Sequence, residues 1–169
     1  MIHYESRVRI ARPPAAVYRG LTDATQLGAW TDMVDIEAAA GPPAVGDLVR
    51  FRLASGPIKG PLDAEFVTLE PDRRVVMRIE HPLLTWTSTS DLTSTETGTE
   101  LRYAGQISLR GWRRLLEPFV AREVRDGEHG EALRLQALLE ATPTSAAGSA
   151  AADLDTVDVA AYASADAHR

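Results

Sequence analysis

Cysteine is absent from this chain, and with it go disulfides, thiolate metal sites and cysteine nucleophiles. Lysine is nearly absent: Lys59 stands alone among 18 basic residues, the others being arginine. With so much alanine, this usage reads as a GC-rich gene, bacterial in type. No apolar run reaches the length of about eighteen residues that a transmembrane helix needs. The opening "MIHYESRVRI" lacks the basic-then-apolar layout of a secretory leader, so the expected location is cytoplasmic. A net charge of −6 argues against a nucleic-acid binder built on phosphate contacts. The four histidines (His3, His81, His129, His168) show no metal-ligand spacing. The chain also lacks G-x-S-x-G, a P-loop, G-x-G-x-x-G and H-E-x-x-H. Neither a metal nor an organic cofactor is implied.

What is present is an ordinary globular composition, 44% apolar and 25% charged over 169 residues, enough for one domain with a sizeable core. Composition divides the chain into a body, 1–141, and an Ala/Ser/Asp-rich tail, 142–169, with four Asp and one Arg. The tail has too little to bury to offset its ordering entropy and is expected to be disordered. Leu154, Val157, Val159 and Tyr162 offer the one alternative, a short docked segment.

The body opens on strict alternation: Tyr4, Ser6, Val8 and Ile10 on one face, charged residues on the other, a half-buried strand. "RPP" stops it, and Pro13 or Pro14 suits a first helical turn. Val17, Tyr18 and Leu21 supply the stripe of one short helix. Asp23 caps a second that runs to Trp30. Strand-like runs then follow one another with turn signals between them: "DMVDIEAAA", "LVRFRLA", "LDAEFVTLE", "RVVMRIEH", "TWTSTSDLTS" and "TELRYAGQISL". "GPIKG" (56–60) reads as a turn, not a phosphate cradle. Short connections make these an antiparallel meander. From Trp112 to Ala141 the period becomes helical, with Leu116, Phe119, Val120, Val124, Ala137 and Leu138 on one side. Pro118 falls within its first two turns. The fold class is α+β: a curved antiparallel sheet wrapped around a long C-terminal helix, with two short helices after the first strand.

"I-A-x-P-x-x-V-Y" at 10–18, "LTDATQLGAW" at 21–30, "VGD" at 45–47, "GTEL" at 98–101 and "ALLE" near the end of the long helix together resemble the START-like, or SRPBCC, superfamily. The nearest branch is the polyketide cyclase/dehydrase group, and the resemblance covers about residues 2–141. It implies the helix-grip fold and a deep cavity between sheet and helix. Members bind hydrophobic or aromatic small molecules, and some catalyse cyclisation, aromatisation or dehydration.

On a 100° projection Glu123, Gly127, Gly130 and Arg134 fall near the middle of the helix's inward face. Glu123 is then a candidate cavity carboxylate, whose burial would raise its pKa toward general acid/base work. Arg134 is a candidate anchor for an acidic ligand group, or an internal ion-pair partner. Gly127 and Gly130 either leave room for a ligand or mark a break in the helix. Tyr103 is the candidate phenol that orients or protonates a ligand carbonyl. Trp30, Phe51, Met77, Trp86, Trp112 and Phe119 are candidate cavity-lining side chains, with core packing as the alternative for each. The hydroxyls of "TWTSTSDLTS" either face a ligand on alternate positions or form a polar outer face. His81, at a strand end before Pro82, either reaches the cavity mouth or is a polar residue at a hairpin turn.

Three kinds of function stay open. One is a cyclase- or dehydratase-like enzyme with at least two polar groups converging in the cavity. Another is a carrier of a lipid, quinone or metabolite with a mostly apolar cavity. The third is an interaction module with a filled cavity and an exposed apolar patch. The expected partner is a hydrophobic small molecule, and the expected assembly a monomer or homodimer.

Overall fold

The computed structural model describes residues 1–54, 58 and 60–141. The expected tail segment and most of the "GPIKG" turn lie outside them. In chain order the elements are β1 (Ile2–Ile10), α1 (Pro14–Thr22), α2 (Ala24–Trp30), β2 (Met33–Ala38), β3 (Leu48–Leu53), β4 (Leu62–Glu70), β5 (Arg74–His81), β6 (Leu84–Thr95) and β7 (Gly98–Leu109). A 3₁₀ turn (Gly111–Leu116) leads into α3 (Glu117–Ala141). Seven strands form one antiparallel sheet in the order β1-β7-β6-β5-β4-β3-β2. The first strand therefore pairs with the last, and everything between is a meander. Register breaks between Val34 and Glu37 and between Phe66 and Thr68 add local twist and bend the sheet.

Local chemistry explains the boundaries. Pro14 opens α1, where a missing N–H costs nothing. Asp23 follows α1 and caps α2, its carboxylate accepting from the Thr25 amide at 3.0 Å and from the Thr25 hydroxyl at 2.6 Å. The β6–β7 turn carries Gly98 at φ 150°, and a Cβ there would lie 2.2 Å from the Ile10 carbonyl. That close approach lets Thr99 bond its hydroxyl to the Arg12 carbonyl at 2.7 Å, fastening the turn to the end of β1.

β1 alternates buried and exposed residues throughout its length. Ile10, Val17, Phe51, Phe66, Leu101 and Leu135 form the fully buried centre, between the concave sheet face and the helices. Each such side chain contributes about 1.5–3 kcal/mol by burial.

The long helix corrects one expectation. It is continuous through Gly127 and Gly130, but its inward face is turned by about one residue from the projected one. The buried residues are Glu117, Glu128, Glu131, Ala132, Leu135 and Leu139. Glu123 and Gly127 are exposed. Two physical facts account for the offset. The bulky apolar residues near the start, Trp112, Leu116 and Phe119, lie at the surface, so they point a hydropathy projection the wrong way. Three of the residues that are buried are glutamates, which any such projection assigns to water.

Candidate functional site

Three elements converge under the middle of α3. Register places Tyr4 of β1 opposite Gly105 of β7, and Gly105 opposite Ser88 of β6. Glycine is required here, since a Cβ at 105 would stand 2.5 Å from the Tyr4 hydroxyl and 2.3 Å from the Thr87 carbonyl. Through that gap the Trp86 indole donates to the Tyr4 hydroxyl at 3.0 Å. The Tyr4 and Tyr103 rings pack with centroids 5.7 Å apart and planes tilted by 47°.

Onto these phenols α3 lowers two carboxyls one turn apart. Glu128 is 7% exposed, and its Oε2 has no hydrogen-bond partner among the described residues. Burial first, and the charge of Glu131 second, push its pKa up to about 8, with Tyr103 and Tyr4 opposing the rise. Glu131 is 9% exposed and accepts the Asp32 amide at 3.2 Å. Burial pushes it to about 7, against the pull of that amide and of Arg134. A carboxyl poised near neutrality is suited to give or take a proton at physiological pH. Burial, reinforced by both glutamates, raises the Tyr103 phenol well above its ordinary range. Tyr103 is therefore a lasting proton donor rather than a base.

A cavity of about 40 Å³ opens between the concave sheet and the helices. Glu131 and Tyr103 line it together with Trp86, Ser88, Ser90, Trp30, Thr31 and Met77, and aliphatic side chains complete the wall. The volume holds a few water-sized groups. Trp30 is fixed by its indole N–H, which donates to the Gly20 carbonyl at 3.1 Å. Trp86, Ser88 and Ser90 reach the cavity on alternate positions of β6, as strand geometry requires.

Of the candidates from sequence, Tyr103, Trp30, Met77 and Trp86 come together at this cavity. Phe51 is fully buried in the core but outside the cavity wall. Glu123 is solvent-exposed and lies outside the cavity wall. No atom outside the helix backbone lies within 4 Å of a Cβ built at Gly127, so that glycine faces open space and makes no room beneath the helix. Trp112 and Phe119 are 67% and 82% exposed and lie outside the cavity wall. Arg134 pairs internally: its Nε donates to the Trp30 carbonyl at 2.8 Å and an Nη to Asp32 at 3.1 Å. His81 is a turn residue, its Nδ1 accepting the Leu83 amide at 3.2 Å. His129, on the outer side, still reaches Ser6 with Nδ1 to Oγ at 2.7 Å.

Sequence reasoning missed Tyr4, Glu128, Glu131, Ser88 and Ser90 as individual site residues. The signal for the glutamates was "EHGE": carboxyls three apart share a helix face, and that face is buried once the helix is turned. Among the described residues no cluster of His, Asp and Glu suits a metal ion. No helix among them is long and apolar enough to cross a membrane.

The comparisons with known proteins agree with this architecture. The family model described as "Polyketide cyclase / dehydrase and lipid transport" matches residues 1–140. Protein MLL2253 from Mesorhizobium loti superposes with a TM-score of 0.64 at 23% identity, over 83% of this chain and 98% of that one. DynU16, from the dynemicin biosynthetic locus, gives 0.61 at 19% identity over 83% of this chain and 48% of its own. The Aha1 dimer from Colwellia psychrerythraea gives 0.61 at 21% over 83% and 98%. At such identities the likeness is one of fold. No curated protein matches the sequence.

Proposed function

This chain belongs to the polyketide cyclase/dehydrase and lipid transport family, and from that premise we propose that it is a proton-transfer catalyst of the cyclase or dehydratase kind. Its substrate is a hydrophobic or aromatic compound bearing a carbonyl, held between the sheet and α3. The observation that carries this reading is the pairing of Glu131 with Tyr103 on one cavity wall. Two polar groups with opposite proton preferences converge there, which a simple carrier does not need.

In the proposed step the Tyr103 hydroxyl donates a hydrogen bond to the substrate carbonyl oxygen. Ionised Glu131 takes a proton from the adjacent carbon, and the electron pair moves into the enolate. The enolate then either attacks a second carbonyl of the same chain, closing a ring whose new alkoxide takes the proton held by Glu131, or expels a β-hydroxyl. In the second case protonated Glu131 returns its proton to the departing hydroxyl, releasing water. Glu128, protonated behind the tyrosines, keeps the pair from carrying two charges. Ser88, Ser90 and Thr31 offer hydroxyls to polar substituents. A volume of about 40 Å³ is well below the roughly 300 Å³ of ordinary ligand pockets. Binding therefore moves side chains or the helix outward, and small or flat substrates fit best. The same tightness disfavours a carrier of long-chain lipid.

The test is solvent deuterium exchange at the activated carbon of a panel of aryl β-diketones, followed by NMR. Exchange should rise with pH through the ionisation of Glu131 near 7, and fall at least about a hundredfold in Glu131→Gln. Tyr103→Phe should lower it less and move the pH midpoint upward, because the Tyr103 hydroxyl helps hold the Glu131 pKa down. Binding without exchange, unchanged in Glu131→Gln, would replace this reading with that of a carrier.

A further inference from the structure

The segment that leads into α3 presents an arrangement the cavity does not explain. Trp112, Leu115 and Phe119 are 67%, 76% and 82% exposed, and Leu116 beside them 40%. At spacings of three and four residues they form a single apolar ridge. Arginines flank it: Arg113 sits over the Trp112 ring at 5.1 Å, Arg114 is exposed, and Arg122 follows one turn on. Between Arg110 and Arg122 the chain carries four arginines and a single acid, Glu117. That acid is turned inward, accepting the Leu109 amide at 2.8 Å and pairing with the Met1 ammonium. The outer surface here is thus cationic on a protein of net charge −6. Arg110 is paired to Glu80 and Arg122 to Asp126, while among the described residues no acid pairs with the guanidinium of Arg113. Glu123 and Asp126 on the next turn mark where the cationic ridge ends.

We propose that this ridge docks the protein on anionic lipid surfaces. Exposed tryptophan, leucine and phenylalanine bordered by arginine match the interface between headgroups and acyl chains. A second copy is the competing occupant. A twofold contact would set one arginine-bordered patch against its copy, cation against cation, whereas lipid phosphates neutralise the arginines. Docking is peripheral and involves no membrane span. It stands independently of the proton-transfer chemistry, which uses none of these residues.

The experiment is co-sedimentation of the full chain with two kinds of vesicle, phosphatidylcholine alone and phosphatidylcholine with phosphatidylglycerol, while Trp112 fluorescence is followed. Binding is expected only with phosphatidylglycerol, with a blue shift that Trp112→Phe abolishes. The double variant Arg113→Gln/Arg114→Gln should bind about 25-fold more weakly, at about 1 kcal/mol per arginine. Phe119→Glu should abolish binding. Trp112, Arg114 and Phe119 are exposed and Arg113 half-buried, so melting temperatures should stay within a degree or two of wild type, and Glu131→Gln should bind as wild type does. Equal binding to both vesicle types, or binding to neither, overturns the proposal. So does a concentration-dependent dimer in which Trp112 is shielded without lipid.

Discussion

The Trp86 indole donates to the Tyr4 hydroxyl across three strands, at 3.0 Å, over the bare Cα of Gly105. One missing methyl group thus fixes two aromatic side chains, and through the Tyr4–Tyr103 contact a third.

Gly105→Ala should therefore be among the most damaging small substitutions in the sheet. Its Cβ meets a backbone carbonyl that cannot retreat without breaking the β6–β7 ladder. A loss of about 1–3 kcal/mol is expected, together with altered near-ultraviolet circular dichroism from displaced Tyr4 and Trp86. Urea unfolding gives the first and the spectrum the second. Wild-type behaviour in both would show that this close approach does not constrain the site.

Tyr4→Phe removes the acceptor of the indole proton and a phenol beside Glu128. An unsatisfied donor costs about 1–3 kcal/mol. The Tyr4 hydroxyl also holds the Glu128 pKa down, so its loss should raise the titration midpoint of Glu128 in a carbon-13 NMR experiment on labelled glutamate. A fall in that midpoint would contradict the arrangement.

The acid pair sets a direction for stability against pH. In the unfolded chain both carboxyls release their protons near pH 4.5, whereas in the fold Glu131 holds its proton to about 7 and Glu128 to about 8. Between those limits the native state binds more protons than the unfolded state, so this pair makes the unfolding free energy fall as pH rises. The contribution is fully present below pH 4.5 and is lost as pH climbs through 7 and 8. Glu128→Gln should flatten the slope and stabilise the protein at pH 8 by about 1–3 kcal/mol. Chemical denaturation of wild type and variant between pH 5 and 8 measures it, and parallel profiles would refute it. Surface pairs act in the opposite sense at lower pH, where Arg102 and Arg7 hold Glu5 down to about 2. Comparing variant with wild type cancels them.

Arg134→Met separates support from chemistry. Arg134 lowers the pKa of Glu131 and ties α3 to the Trp30 carbonyl and Asp32. Its loss should move Glu131 upward and shift the pH midpoint of exchange with it, at a stability cost of about 1–2 kcal/mol. An unmoved midpoint would mean that Arg134 only braces the helix.

Most strand positions were legible because alternation over a half-buried sheet is a strong pattern. β4 at Leu62–Glu70 and β5 at Arg74–His81 match their sequence runs residue for residue. Asp23 was legible as a cap because its carboxylate has only local amides to satisfy. Tyr103 and the aromatic wall could be read from the strand period. The glutamates could not, because a buried carboxyl is a tertiary fact. Glu128 is inside since Tyr4 and Tyr103 stand beneath it, and those residues are 124 and 25 positions away in sequence. Phe119 misled for the converse reason: an apolar side chain pulls the projected face toward itself even where it lies on the surface.

The ties between Arg134, Glu131 and the α2–β2 junction are confined to the second half of α3, where Ala132, Leu135 and Leu139 are also buried. Upstream of Glu128, Glu117 is the one residue of α3 that is fully buried. The helix is thus anchored unevenly: its second half carries most of the buried positions, while its first half is held by Glu117, by Arg125 donating to the His3 carbonyl at 3.1 Å and by half-buried Val120, Ala121 and Val124. Amide protons upstream of Gly127 should open to solvent at lower free energy than those near Leu135. The proton-handling groups sit where the more deeply buried half begins, so fluctuations of the first half should leave the acid pair aligned.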